Sequence, residues 1–143
     1  MNNKLSVEIL SSDKLILKEE DVNEIVVPTT MGDVGILPNH MGLISHIKPG
    51  EIVIKKNNRD DLLAITGGFL EVRKNRVSIL ADYAIRAEDI EVRRAEEAKE
   101  RAKKVMENLT DREEFAKAEA DLLRALLELK VATRRKTRET KLV

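Results

Sequence analysis

Cysteine and tryptophan are absent from this 143-residue chain, and its aromatic residues are one Tyr and two Phe. Without Cys there is no disulfide framework and no thiolate metal site, which fits a reducing compartment. With so few rings, a base-stacking surface for nucleic acid is not expected, and the core has to be aliphatic. No apolar run reaches the ~18 residues that a spanning helix needs. Glu8 and Asp13 interrupt any signal-like segment near the start. A soluble, cytosol-facing protein is the expectation. Glycine and proline are lacking in one half only: all six Gly and all three Pro fall in the first 68 residues, and the last 75 contain neither.

Gly and Pro let a chain turn sharply or forbid a helix. A stretch without them, rich in Ala, Leu, Glu, Lys and Arg, can run as helix. Two objects are therefore expected, a turn-rich β domain over 1–86 and a charged helical arm over 87–143. The net charge of zero is unevenly placed. Residues 1–87 carry −1, residues 88–129 carry −4, and residues 130–143 carry +5. A neutral chain with a basic end is not a general polyanion binder; it suits a specific acidic patch, or the end is merely solvated.

In the first part Leu5, Val7 and Ile9 alternate with polar residues, as in a half-buried strand. Further short strands are expected at Leu15 to Lys18, Glu24 to Val27 (ended by Pro28), Gly32 to Leu37, Met41 to Ile47 and Glu51 to Lys55. An acidic loop, Glu19 to Asp21, follows the first of these, and Asn57 to Asp61 reads as a polar turn. Leu62 to Thr66 answers that turn. Gly67-Gly68 permits a bulge or close backbone approach. Lys74-Asn75 reads as a two-residue hairpin turn between Phe69 to Arg73 and Arg76 to Leu80. Many short, closely spaced strands predict a sandwich or barrel.

From Glu88 the period changes to three and four. Ala95, Ala98, Ala102, Val105 or Met106, and Leu109 form a narrow seam on a helix of ~20 residues. Thr110 with Glu113 reads as a capping box that starts a second helix. Phe115, Ala118, Leu122, Ala125 or Leu126, and Leu129 form its seam, extending to about Thr137. Alanine in both seams lets two helices approach closely, so an antiparallel hairpin is expected, turning at Asn108 to Thr110. No Gly or Pro enforces that turn, so hairpin and extended states are expected to differ by little.

No metal-ligand spacing accompanies the only two histidines, His40 and His46, and no nucleophile elbow or phosphate-binding loop occurs. No catalytic residues and no metal site are therefore assigned. On a helix, Glu91, Arg94, Ala98 and Arg101 share one face. Arg suits phosphates, a carboxylate accepts from ribose or an amino group, and the alanines leave room for a planar ring; Arg124 completes such a set. The same residues also read as a solvated face with pairs such as Glu91–Arg94 and Glu97–Arg101. The basic end holds Lys130, Arg134, Arg135, Lys136, Arg138 and Lys141, either a fraying terminus or a docking element for an acidic protein surface.

Gly32-Asp33-Val34-Gly35-Ile36-Leu37-Pro38-Asn39-His40 followed by Lys48-Pro49-Gly50 resembles a signature of the epsilon subunits of bacterial F-type ATP synthase. Thr66-Gly67-Gly68-Phe69-Leu70-Glu71-Val72 with Val77 to Asp82 resembles a second, and Ala84 to Ile90 resembles the approach to their C-terminal helices. The resemblance covers essentially the whole chain. It implies an antiparallel β-sandwich of about ten strands followed by a two-helix hairpin. It further implies a non-catalytic place in the rotor's central stalk, on the cytoplasmic face of the bacterial membrane without insertion into it. The implied partners are the gamma subunit and the c ring, met through Met31, Pro38, Asn39, His40 and Met41. A third is the alpha/beta catalytic hexamer, met by Arg134, Arg135, Lys136 and Arg138 when the arm extends to inhibit ATP hydrolysis. Such a subunit couples proton or sodium flow to ATP synthesis. Rivals are a nucleotide-sensing module and an unrelated sandwich adaptor whose helices dock proteins.

Some family members bind ATP through an Ile/Leu-Asp-x-x-Arg-Ala motif. Here it reads Ile90-Glu91-Val92-Arg93-Arg94-Ala95, with Glu in place of Asp. The added methylene moves the carboxylate by about 1 Å, enough to disturb hydrogen-bond geometry. Arg101 and Arg124 match further basic positions, whereas Glu128 stands where another basic residue is expected and repels phosphate. The expectation is no cofactor, with ATP at most a weak regulatory ligand.

Overall fold

The computed structural model describes residues 3–108 and 111–141. The chain divides into two compact units, Met1–Arg86 and Ala87–Val143. The first is built from ten strands: β1 (Leu5–Leu10), β2 (Leu15–Val22), β3 (Glu24–Thr29), β4 (Gly32–Ile36), β5 (Leu43–Ile47), β6 (Gly50–Lys56), β7 (Arg59–Ile65), β8 (Gly68–Arg73), β9 (Arg76–Ala81) and β10 (Ala84–Arg86). They are joined in the order β10-β7-β6-β3-β5-β8-β9-β1-β2, with β4 pairing β3. All pairs are antiparallel except β1 with β9. The far end of this path returns on itself, since β2 packs near β6 and β10. The sheet thus closes into a two-layered sandwich.

Period-2 alternation explains the core. Leu5, Val7 and Ile9 of β1 point inward, and Ile25, Val27, Ile52, Ile54, Leu70 and Ile79 meet them from the other strands. The buried side chains are aliphatic, as three aromatics in the whole chain require. Burial of each contributes roughly 1.5–3 kcal/mol. The Lys74-Asn75 hairpin has both residues in the left-handed region (φ 48° and 62°), as a type I′ turn demands. Gly68 is obligatory: at φ 147° a Cβ would lie 2.1 Å from the Leu80 carbonyl oxygen.

Three local expectations are corrected. Glu19 to Asp21 continues β2 instead of forming a loop. Glu19 is drawn in by Lys56 Nζ at 3.0 Å, Ser6 Oγ donates to Glu20 Oε1 (3.1 Å), and Asp21 at φ 59° absorbs the register shift. Pro28 does not end β3. It lies between the last pair with β6, Val26–Val53, and the single pair with β5, Thr29–Ile47, where the ladder changes partner, so a missing N–H is tolerated there. The polar turn is only Asn57-Asn58; Arg59 to Asp61 are in β7, held by the Arg59–Asp61 contact at 3.2 Å. The three-residue β10, paired with Leu63 to Ile65, is too short to carry a visible period.

The second unit begins with a 3-10 turn, Ala87–Asp89, then α1 (Val92–Asn108) and α2 (Arg112–Lys141). Helix therefore starts at Val92, not Glu88. Ile90 N–H donates back to Ala87 O, and Glu91 O accepts the first helical bond, from Ala95 N. Glu91 is thus an N-cap position, outside the helix proper. Asp111 caps α2, its Oδ1 accepting from Glu113 N at 3.0 Å. The expected parts of Leu109, Thr110 and the Lys141 side chain lie outside the described residues. α2 runs beyond Thr137 because nothing breaks it, and Thr137 and Thr140 satisfy their hydroxyls on carbonyls four residues back.

Buried alanines recur every seven residues on both helices, Ala95 and Ala102 on α1, Ala118, Ala125 and Ala132 on α2. With only three residues between them, the helices pack as an antiparallel hairpin. Met106 is more covered than Val105, while Leu126 and Phe115 stay largely exposed. Alanine contacts put the axes near the lower limit of about 8 Å.

Candidate functional site

The outward face of the first unit carries what the sequence reading missed. His46 of β5 pairs with Phe69 of β8, Phe69 with Leu80 of β9, Leu80 with Leu10 of β1, and Leu10 with Leu15 of β2. These residues point away from the core, because their neighbours Ile47, Leu70, Ile79 and Ile9 point into it. Phe69, Leu80, Leu10 and Leu15 remain 51%, 55%, 37% and 53% exposed, and Ile44 on β5 is 78% exposed. The four apolar side chains, on neighbouring strands at about 4.8 Å spacing, make a row roughly 14 Å long that His46 extends onto a fifth strand. A contiguous exposed apolar row of this kind is a candidate binding surface. Its signal in the sequence was doublets such as Ile9-Leu10, Phe69-Leu70 and Ile79-Leu80, which place an apolar side chain on both faces of a strand.

His46 closes one end of the row, its ring 4.6 Å from that of Phe69. Two loops belong to the same unit. Thr29, fully buried, donates from Oγ1 to Gly32 O (2.6 Å) and accepts from Met31 N (3.2 Å). This bracket closes the β3–β4 turn and leaves Met31 90% exposed. The β4–β5 loop turns at Leu37-Pro38-Asn39-His40, where His40 N donates to Leu37 O (3.1 Å). Asn39 sits at φ 68°, so Pro second and a left-handed residue third make a type II turn. His40 Nδ1 donates to Met41 O (2.7 Å), and Met41 is 78% exposed. All five residues expected at a partner contact are thus in two braced loops with exposed methionines.

In the second unit, Glu91 and Arg94 of the expected nucleotide set hold each other, and Arg124 meets Glu128. Glu91 Oε2 contacts Arg94 Nε at 3.2 Å, and Arg93 Nε contacts Glu97 at 3.2 Å, where Glu97 was expected on Arg101. Arg124 Nε donates to Glu128 Oε1 at 3.4 Å, and the Glu128 side chain is only 13% exposed. Ala95 is buried in the seam, Ile90 precedes the helix, and Arg101 is exposed on α1. A phosphate approaching Arg124 would meet the negative charge of Glu128 beside it. At the basic end Arg134, Arg135 and Lys136 are exposed and Arg138 is partly covered; Arg135 meets Glu139 at 3.1 Å. Surface pairs of this kind contribute less than ~1 kcal/mol each. No helix among the described residues is long and apolar enough to cross a membrane.

The chain is thus a sandwich with an apolar outer row followed by a charged helical hairpin. Comparison with known proteins gives its family. The family described as ATP synthase, Delta/Epsilon chain, beta-sandwich domain matches residues 4–87, and its long alpha-helix domain matches residues 88–133. The ATP synthase epsilon chain of Herpetosiphon aurantiacus is 42% identical over 135 residues, 94% of this chain and 98% of its own. That of Chloroflexus aggregans is 41% identical over 128 residues, 90% and 91% of the two chains. A chain in the cryo-EM structure of Euglena gracilis mitochondrial ATP synthase, OSCP/F1/c-ring, superposes with a TM-score of 0.72 at 25% identity, covering 86% of this chain and 78% of that one. The fold is also that of a chain in the central stalk/c-ring of Tetrahymena thermophila mitochondrial ATP synthase (TM-score 0.62, 18% identity, covering 90% and 96%). The chain belongs to the ATP synthase delta/epsilon family, on the side of the epsilon chains.

Proposed function

We propose that this chain is a non-catalytic central-stalk subunit whose sandwich anchors to the gamma subunit and the c ring, and whose helices act as a regulatory arm. In that place it transmits rotation between proton or sodium translocation and ATP synthesis. It works at the cytoplasmic face of the bacterial membrane, peripherally, as part of the complex. The observation that supports the anchor is the four-strand apolar row, together with the exposed Met31 and Met41 on braced loops. Such a surface suits a protein partner and offers a nucleic acid little.

The arm reading has its own support. The seam alanines contribute ~0.8 kcal/mol each and the Asp111 cap ~1 kcal/mol, and Val131 of the second helix is also fully buried. Opening the hairpin is therefore a matter of several kcal/mol, which docking on a partner has to offset. In the extended state Arg134, Arg135, Lys136 and Arg138 meet an acidic surface of the alpha/beta hexamer and hold back ATP hydrolysis. ATP is at most a weak regulatory ligand of this unit, since the Glu128 carboxylate lies beside Arg124 and opposes a phosphate there.

ATP hydrolysis by the reconstituted complex, with the full chain and with a chain lacking residues 88–143, tests the arm. Faster hydrolysis on truncation is expected; equal rates would remove the inhibitory role. A second truncation after Thr133 isolates the basic end, and equal activation there assigns the effect to charge docking.

A further inference from the structure

Asn75, at the tip of the β8–β9 hairpin, is tied to two distant segments. Its Oδ1 accepts a hydrogen bond from Asn39 N at 2.6 Å, across 36 residues of sequence, and its backbone O accepts one from Ser6 N at 2.9 Å. In a type II turn the third residue's N–H takes no part in the turn's own hydrogen bond, which runs between the first and fourth residues. Here that N–H belongs to Asn39, and the amide of Asn75 satisfies it. The turn Leu37-Pro38-Asn39-His40 is therefore held by its own closing bond and by a side chain from another hairpin. Leu37 and Met41, both exposed, flank that held point.

We infer that Asn75 is a positioning residue for docking. It touches no partner itself but fixes the turn that presents Leu37, His40 and Met41 in the shape the partner meets. The inference rests on the reading above that this loop is a contact with the rest of ATP synthase. Asn75 is chosen for two properties at once: it accepts the left-handed backbone of the hairpin (φ 62°), and it carries a carbonyl able to accept from Asn39.

Those properties can be separated. Asn75→Gly keeps the left-handed conformation and deletes the acceptor; Asn75→Asp keeps an acceptor oxygen at the same reach. The full-length variants are compared in amide hydrogen exchange and in rebinding to ATP synthase depleted of this chain. Asn75→Gly is expected to speed exchange at the Asn39 amide about tenfold and to weaken rebinding about three- to tenfold, while the thermal midpoint moves by no more than a few degrees. Asn75→Asp is expected to restore both. Met41→Asp serves as the reference for the contact itself and is expected to weaken rebinding without altering Asn39 exchange. If Met41→Asp weakens rebinding but Asn75→Gly does not, positioning is refuted while the contact stands. If Met41→Asp has no effect, the contact fails and positioning for docking fails with it.

Discussion

Replacing Phe69 and Leu80 by alanine removes the centre of the exposed row while leaving the core untouched. The two side chains are direct cross-strand neighbours, each with about half of its surface in water. Full burial of such a side chain contributes roughly 1.5–3 kcal/mol, so docking can recover about 1 kcal/mol from the exposed half of each. A single truncation is then expected to weaken rebinding to the depleted complex about fivefold, and the double about 20- to 30-fold. The 20- to 30-fold expected of the double is the additive value; contact between the two side chains can shift it by ~0.5 kcal/mol, about twofold, either way. The buried half of each side chain is lost as well, so the isolated chain should be destabilised by about 1 kcal/mol per truncation. Titration of the variants into immobilised depleted complex, alongside urea unfolding, separates the two quantities. Unchanged affinity would refute the assignment of this face to docking.

Gly68→Ala should destabilise the chain by about 3 kcal/mol or more, because its Cβ meets the Leu80 carbonyl oxygen at φ 147°; Gly32→Ala, at φ 110° with nothing within 4 Å, should cost only about 1 kcal/mol in urea unfolding. Equal costs would show that backbone conformation alone, not the close approach, decides. Asp111→Ala should lower helical stability by about 1 kcal/mol, read as lost ellipticity on heating, since it removes the acceptor at Glu113 N. Glu128→Gln should make ATP binding measurable at lower concentration in calorimetry by releasing Arg124 from a charged partner; no gain in heat would count against any phosphate role for Arg124.

Strand and helix were legible where a period of two or of three to four runs unbroken, as in Leu5 to Ile9 and along the alanine seams. The Lys74-Asn75 turn was legible from residue type because left-handed backbone restricts its occupants. Glu19 to Asp21 misled because acidic residues suggest a loop, whereas Lys56, distant in sequence, draws Glu19 into the ladder. Pro28 misled because a local rule does not know where a strand changes partner. The docking row was invisible for a related reason. Leu10, Leu15, Phe69 and Leu80 come from four strands and become neighbours only through long-range register. The Arg124–Glu128 contact was read only as repulsion toward phosphate, although a four-residue spacing on a helix also predicts a pair.

The parallel pairing of β1 with β9 has a consequence for how the two units come into being. The first strand made occupies an interior position of the sheet, between β9 and β2, yet its partner is complete only at residue 81. Nearly the whole sandwich must therefore be available before its sheet can finish, a topology rich in distant contacts and hence slow to form. The hairpin needs only its own neighbours, and helices of this length form in microseconds. Once the sandwich has assembled, the hairpin can form and re-form on its own far faster than the sheet can.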